Sequence, residues 1–246
     1  MPNYRFGKHP PQHDYRTLRF QSYLTPGFPN PPPTCDVLAR VYSNLKVNDP
    51  TVLFPMDGND TYGDCTIAAL AHAVTTFRGM IDKQVVPGKQ AVVKLYFHLT
   101  GGVDSGLNEL DVLNYWRKSP FSGEKVLGYV SIDPKHHDHV QSAISMFGGV
   151  YLGFHVQQDC QKDFEARKPW TPGPLTNDGH AVFAVAYDQQ GLTVLTWGNT
   201  QKATWAWWDE CVDEAYALLP TSAKDSDFAK GFNFAQLEKD LADVAA

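Results

Sequence analysis

Apolar residues recur at Ile67, Leu70, Ala71 and Val74, the i, i+3, i+4, i+7 spacing of one helical face. Asp64 suits the N-cap of that helix, and Gly79, after Arg78, suits its stop. "GKQAVVKLYFHLTGG" repeats the helical period and ends on Gly101-Gly102; "DSGLNELDVLNYWRK" repeats it again, with Asp104 or Ser105 as cap. In "DPKHHDHVQSAISMFGG", Asp stands at the N-cap, Pro at the first helical position and a Gly pair at the end. From Val150 the texture changes. "VYLGFHV" and "HAVFAVAYDQQGLTVLTWGN" are rich in β-branched and aromatic residues, with a turn at Gln189-Gln190-Gly191. Near the end, "NFAQLEKDLADV" is amphipathic, with Asn233 and Gln236 spaced as a capping box. Helices first and strands after predict an α+β fold without internal repeats.

The first 58 residues break this order. They are Pro-rich and weakly periodic, yet they carry Tyr15, Phe20, Tyr23, Leu24, Phe28, Leu38, Val41 and Tyr42. So many large apolar groups predict an arm packed on the surface over 1–54, with "VLARVYSNL" as a docked short helix, rather than a disordered tail. Residues 55–220 then form the main domain and 221–246 a C-terminal amphipathic helix. The length of 246 residues suffices for a substantial core, and no run is long enough to span a bilayer. A net charge of −6 gives no electrostatic reason to expect nucleic acid or an anionic membrane. Cys35, Cys65, Cys160 and Cys211 lie far apart without a CxxC pair, which reads as reduced thiols in a cytoplasmic protein. No secretory signal is visible at the start.

Two segments carry the chemistry. Cys65 begins the first apolar helix, where unpaired N–H groups stabilise a thiolate, although Asp64 opposes this if its carboxylate faces the sulfur. His180 opens the strand of "NDGHAVFAVAYD" after Asp178-Gly179. A thiol and an imidazole brought together make the basic unit of cysteine nucleophilic catalysis. A small buried cysteine at a helix start is the bland alternative.

With "GDC" opening the first helix, "GHAVFAVAYD" opening a late strand and "LTWGNT" following, residues 55–219 resemble the papain-like cysteine peptidase fold. That group includes bacterial peptidases that remove leader peptides. The chain is also similar to bacterial and phage proteins carrying "GNDxxGDC…AH". The resemblance implies a helical lobe, with the Cys-bearing helix, packed against a C-terminal antiparallel β-rich lobe. It implies Cys65 as nucleophile, His180 as base and then acid, and an oxyanion donor six residues before the cysteine, here Asn59 instead of a Gln. Asn59 reads equally as part of a turn. The family's orienting Asn has no counterpart before Trp197-Gly198, where Leu195 and Thr196 stand. A two-residue turn at Gln189-Gln190 would pair residues summing to 379 and set His180 opposite Asn199. A one-residue slip or a bulge would favour Thr196.

Other candidates are weaker. His136 and His139 share a helical face without an evident third metal ligand, and His72 lies about 10 Å along the axis from Cys65, at 1.5 Å per residue. "TWAWWDECVDEAY" reads as core packing. The expectation is cysteine-dependent hydrolysis or transfer at a peptide or other amide bond, with no cofactor and no metal. An inactive papain-like module binding a peptide or protein partner is the second reading, and a structural phage-derived component the third. An open cleft between Cys65 and His180 favours an enzyme; a cleft filled by the arm favours binding or a latent form.

Overall fold

A computed structural model describes residues 4–47, 49–220 and 231–245. Residues 221–230 of the expected C-terminal segment, and residues 1–3 of the arm, lie outside the described residues. The helices are α1 (Val37–Leu45), α2 (Pro50–Leu53), α3 (Cys65–Met80), α4 (Gly88–Leu99), α5 (Glu109–Lys118), α6 (His137–Phe147), α7 (Cys160–Glu165), α8 (Trp205–Cys211) and α9 (Phe234–Ala245). The strands are β1 (Cys35–Asp36), β2 (Val126–Ser131), β3 (Val150–Gln157), β4 (Leu175–Tyr187), β5 (Gly191–Thr196), β6 (Asn199–Thr204) and β7 (Val212–Pro220). One antiparallel sheet runs β2-β7-β3-β4-β5-β6, with β1 added to β4. This is an α+β architecture, with the Cys-bearing helix against the sheet.

Sixteen residues long, α3 is buried nearly all round, which is how a helix between other helices and a sheet must be built. Its expected stop at Gly79 is not where it ends; the helix continues to Met80. Gly79 serves packing instead. A Cβ there would lie 2.6 Å from Val41 Cγ1, so the missing side chain lets α1 approach closely. The cap of α5 is Asn108, whose Oδ1 accepts the Leu110 N–H, and not Asp104 or Ser105. Asp104 bonds the Tyr96 hydroxyl and the Gly63 N–H. The Asp133-Pro134 pair forms a turn ahead of α6 rather than its first turn, with the His136 N–H on the Asp133 carbonyl. At α9 the capping box is half formed. Asn233 Oδ1 accepts the Gln236 N–H, whereas the Gln236 amide turns forward to Asp240.

The proline-rich arm crosses the body. Phe20 and Tyr23 are buried, the Thr25 N–H bonds the Gly231 carbonyl, and the Tyr187 hydroxyl bonds the Pro32 carbonyl. Its first described residues go to the cleft beside Cys65. No helix among the described residues is long and apolar enough to cross a membrane.

Candidate active site

Cys65 is the first residue of α3, and its side chain is buried. Asp64 holds the N-cap position without capping, since its carboxyl makes no bond to the helix. That carboxyl turns towards Gly58, where a Cβ would lie 2.4 Å from Oδ2; Gly58 also has φ +107°, so glycine is required there twice over. Burial, reinforced by Asp57, raises the Asp64 carboxyl to about 8, and burial raises Asp57 to about 7. Near neutral pH the residue beside the sulfur is therefore largely uncharged, which removes most of the opposition expected from the sequence.

These two acids give a stability signature. Both have folded-state values above their unfolded ones, so the folded chain retains protons that the unfolded chain releases. Stability is then lost as pH rises from about 4 to about 8 and levels off beyond. Asp57→Asn removes one such group, and the αL backbone at Asp57 (φ 55°) accommodates Asn. The variant should gain thermal stability over wild type progressively from pH 4 to pH 7, by a few kcal/mol at most from 1.36 kcal/mol per unit. A difference in melting temperature that is flat across that range would contradict the assignment.

His180 does not open its strand as expected but lies inside β4, which begins at Leu175. It is buried, with its ring stacked on Trp197 at 4.6 Å between centroids and 26° between planes. Its Nε2 is 2.8 Å from Thr196 Oγ1, and its Nδ1 is buried without a hydrogen-bond partner. Backbone N–H groups of Gly7 and of Ala181, the residue that follows His180, act on the Cys65 thiol. Burial pushes the thiol up to about 12 and the imidazole down to about 3. In this covered state both are neutral.

The side chain bonded to the ring is that of Thr196, and not that of Asn199. The turn has two residues as expected, with the Asp188 N–H on the Gly191 carbonyl, and Tyr187 faces Leu192 in the expected register. Beyond Ala186 the register slips by one, so that Ala184 faces Val194 and Phe183 faces Leu195. The bulge thus sits at Val185, well before Trp197-Gly198. β5 then ends at Thr196, and Trp197 (φ 46°) with Gly198 (φ 75°) turns the chain, leaving Asn199 on β6 opposite Thr196. Asn199 Oδ1 accepts the following Thr200 N–H.

Asn59 is buried, and its Nδ2 donates to the carbonyls of Arg5 (3.0 Å) and Tyr62 (3.2 Å). A main-chain carbonyl of the arm therefore already lies on the expected oxyanion donor. The contacts continue along the segment. The Arg5 N–H bonds the Asn59 carbonyl, the Leu107 N–H bonds the Gly7 carbonyl, the Lys8 N–H bonds the Gly179 carbonyl, and the His9 N–H bonds the Leu107 carbonyl. Tyr4 stacks on Trp197 at 4.7 Å, and Phe6 meets His180 edge-on at 5.6 Å. A Cβ on Gly7 would lie 1.9 Å from the Gly63 carbonyl oxygen, so only glycine passes between Gly63 and the sulfur.

Lys8, Glu109, Asp213 and Glu214 escape sequence reasoning. Lys8 Nζ lies 2.9 Å from Asp213 Oδ2 and 3.0 Å from Glu214 Oε1, with its side chain 1% exposed. Glu109 is an ordinary first-turn acid by pattern, and the "DE" of "WWDECVDEAY" looks like a solvated pair. Only the fold brings them to one place. His72 packs as expected, with Nε2 on the Pro55 carbonyl at 3.1 Å. Asp138 adds a third donor to His136 and His139, all within 4.8 Å, on the solvent-facing start of α6.

Cys65 at a helix start, His180 on the sheet and the Thr196 hydroxyl bonded to the imidazole stand on a fold that is papain-like. Solved structures agree on the fold. Xylellain, a cysteine protease from Xylella fastidiosa, matches with TM-score 0.65 and 18% identity over 88% of this chain and 96% of that one. ProCathepsin B S9 from Trypanosoma congolense matches with TM-score 0.55 and 10% identity over 88% and 86%. The cysteine protease and lectin-like domains of Cwp84 from Clostridium difficile match with TM-score 0.59 and 13% identity, over 89% of this chain and 56% of that one. No protein-family model matches the sequence, and no curated protein does.

Proposed function

We propose that this chain is a cysteine peptidase, or a closely related amide hydrolase, held latent by its own residues 4–9. The observation that carries the reading is the pairing of His180 Nε2 with Thr196 Oγ1. It leaves Nδ1 without a partner among the described residues, and in this reading that nitrogen exchanges a proton with Cys65. In the uncovered state Cys65 gives its proton to Nδ1 and the sulfur attacks the substrate carbonyl carbon. The developing oxyanion is met by Asn59 Nδ2 and the Cys65 N–H. His180 then protonates the leaving amine, the C–N bond breaks, and water hydrolyses the thioester with the same imidazole as base. Thr196 is the positioning residue for the ring, and Trp197 covers one face of it.

Segment 4–9 supports latency, since it occupies the donor at Asn59 and the space over the sulfur. The fold neighbours named as cysteine proteases support peptide chemistry, and a neighbour named as a pro-form supports a covered cleft. The four unpaired cysteines support a reducing, cytoplasmic setting. The covered cleft equally suits a non-catalytic module that binds a peptide. A full-length Lys8→Ala chain separates the two readings. It should hydrolyse a fluorogenic peptide mixture, and adding Cys65→Ala should abolish the activity. Equal turnover with and without Cys65 would leave only the binding module.

A further inference from the structure

Beside the thiol, the cleft holds an acidic pocket that the proposed reaction does not use. Its walls are Glu109 at the start of α5, Asp213 and Glu214 on β7, and Gly153 on β3. Gly153 makes the room: a Cβ there would lie 1.8 Å from Lys8 Cε and 2.8 Å from Glu109 Oε1. The Lys8 stem fills that space. Its ammonium bonds Asp213 and the His9 carbonyl and forms an ion pair with Glu214 Oε1 at 3.0 Å, while the Tyr216 hydroxyl donates to the second Glu214 oxygen at 2.8 Å. Both oxygens of the buried Glu109 lack a hydrogen-bond partner. Burial opposes the lysine charge, but Glu109, Glu214 and Asp213 outweigh it and hold Lys8 above its ordinary value.

Carboxyl groups facing one another at low exposure are costly unless a cation joins them or one keeps its proton, and burial, reinforced by Glu214, holds Glu109 well above the ordinary carboxylate range. The main-chain bonds of Gly7, Lys8 and His9 to Leu107 and Gly179 show how a peptide is held while its lysine enters. Lys8 follows Gly7, whose N–H acts on the Cys65 thiol, so the pocket neighbours the reacting atoms.

We infer that this pocket is a side-chain subsite selecting lysine in the substrate, and that Lys8 occupies it as an internal stand-in. The inference rests on the peptidase reading for the word substrate, but the binding it claims does not depend on cleavage. A residue with the same stem and no charge would leave Glu214 buried without its cation, so discrimination should be roughly tenfold or more.

The test uses the full chain with Lys8→Ala and Cys65→Ala, which vacates the pocket and prevents turnover. The probe is a synthetic peptide of residues 1–12 and its counterpart with norleucine in place of the lysine, both titrated by calorimetry. The lysine peptide should bind at least about tenfold more tightly. Adding Asp213→Asn and Glu214→Gln should bring the ratio close to one. Should Lys8→Ala not fold, Gly7→Leu with Cys65→Ala vacates the pocket by steric means and the same titration applies. Equal affinities, a norleucine preference, or no binding in either background overturns the inference. Hydrolysis of Cys65-dependent substrates without lysine preference would overturn it too while leaving the peptidase reading intact. Lysine-selective binding without hydrolysis would do the reverse.

Discussion

Lys8→Ala should raise the rate of Cys65 alkylation by iodoacetamide by two to three orders of magnitude at neutral pH. While segment 4–9 is in place, the variant leaves Glu214 buried without its cation and Asp213 with only His155, at 3.4 Å. Breaking one side of a buried ion pair costs about 3–5 kcal/mol, and every 1.4 kcal/mol is a tenfold change in the opening equilibrium. Opening rehydrates the carboxylates, so the penalty falls on the covered state alone. It also uncovers the sulfur, which burial holds at about 12 in the covered chain. Gly7→Leu should act in the same direction by a different force, because a Cβ at that position already collides with the Gly63 carbonyl. Peptide mapping identifies the labelled residue. Cys160 and Cys211, both buried, serve as internal controls and should not accelerate. Unchanged labelling in both variants would show that the segment does not control access.

His180→Ala, built on the released chain, should lower kcat/KM by 10²- to 10⁴-fold, the usual worth of a positioned general base. The ring cannot be replaced by another group, because its neighbours Phe6, Phe154 and Trp197 are aromatic and Thr196 is its hydrogen-bond partner. The pH profile of Cys65 alkylation should move as well. With the imidazole present, the uncovered thiolate forms below the ordinary thiol range near 8.5; without it the profile should return there. Thr196→Val should give a smaller loss through misplacement of the ring, and Asn199→Ala should leave kcat/KM near its starting value. If Asn199→Ala proved the more damaging of the two, the geometry of the turn after β5 would have to differ from that described.

How far the sequence revealed this site follows from the range of the interactions involved. Cys65 at a helix start is a local pattern, and His180 was marked by the apolar run that follows it, although β4 begins at Leu175 rather than at the histidine. The third position depended on strand register over sixteen residues, and one bulge at Val185 decided it. A bulge inside an uninterrupted apolar run, "AVFAVAY", leaves no mark in composition, so Asn199 was the natural choice and Thr196 the outcome. Of the bulky arm residues, Phe20 and Tyr23 are buried while Tyr15 is 89% exposed, and no local pattern announced that the Gly7 N–H would act on the thiol. The acidic pocket was invisible for a further reason. Its members come from residues 8, 109, 213 and 214, and each has an ordinary local explanation as a surface charge. The Asp64 carboxyl illustrates the converse, since its helix-cap position was legible while its inward rotation came from Gly58, six residues away.

If residues 4–9 hold the chain latent as proposed, the anchoring of Phe20 and Tyr23 puts that segment on a tether of about ten residues. Chain entropy at that length corresponds to an effective concentration in the millimolar range. Dilution does not release a blocker tied to its own target, so the dormant state persists at the lowest concentration of the protein. A competing peptide must instead outbid a millimolar rival, and a cut anywhere between residue 9 and Phe20 removes that advantage at once. After such a nick the segment becomes an ordinary dissociable ligand, and dormancy becomes a function of concentration.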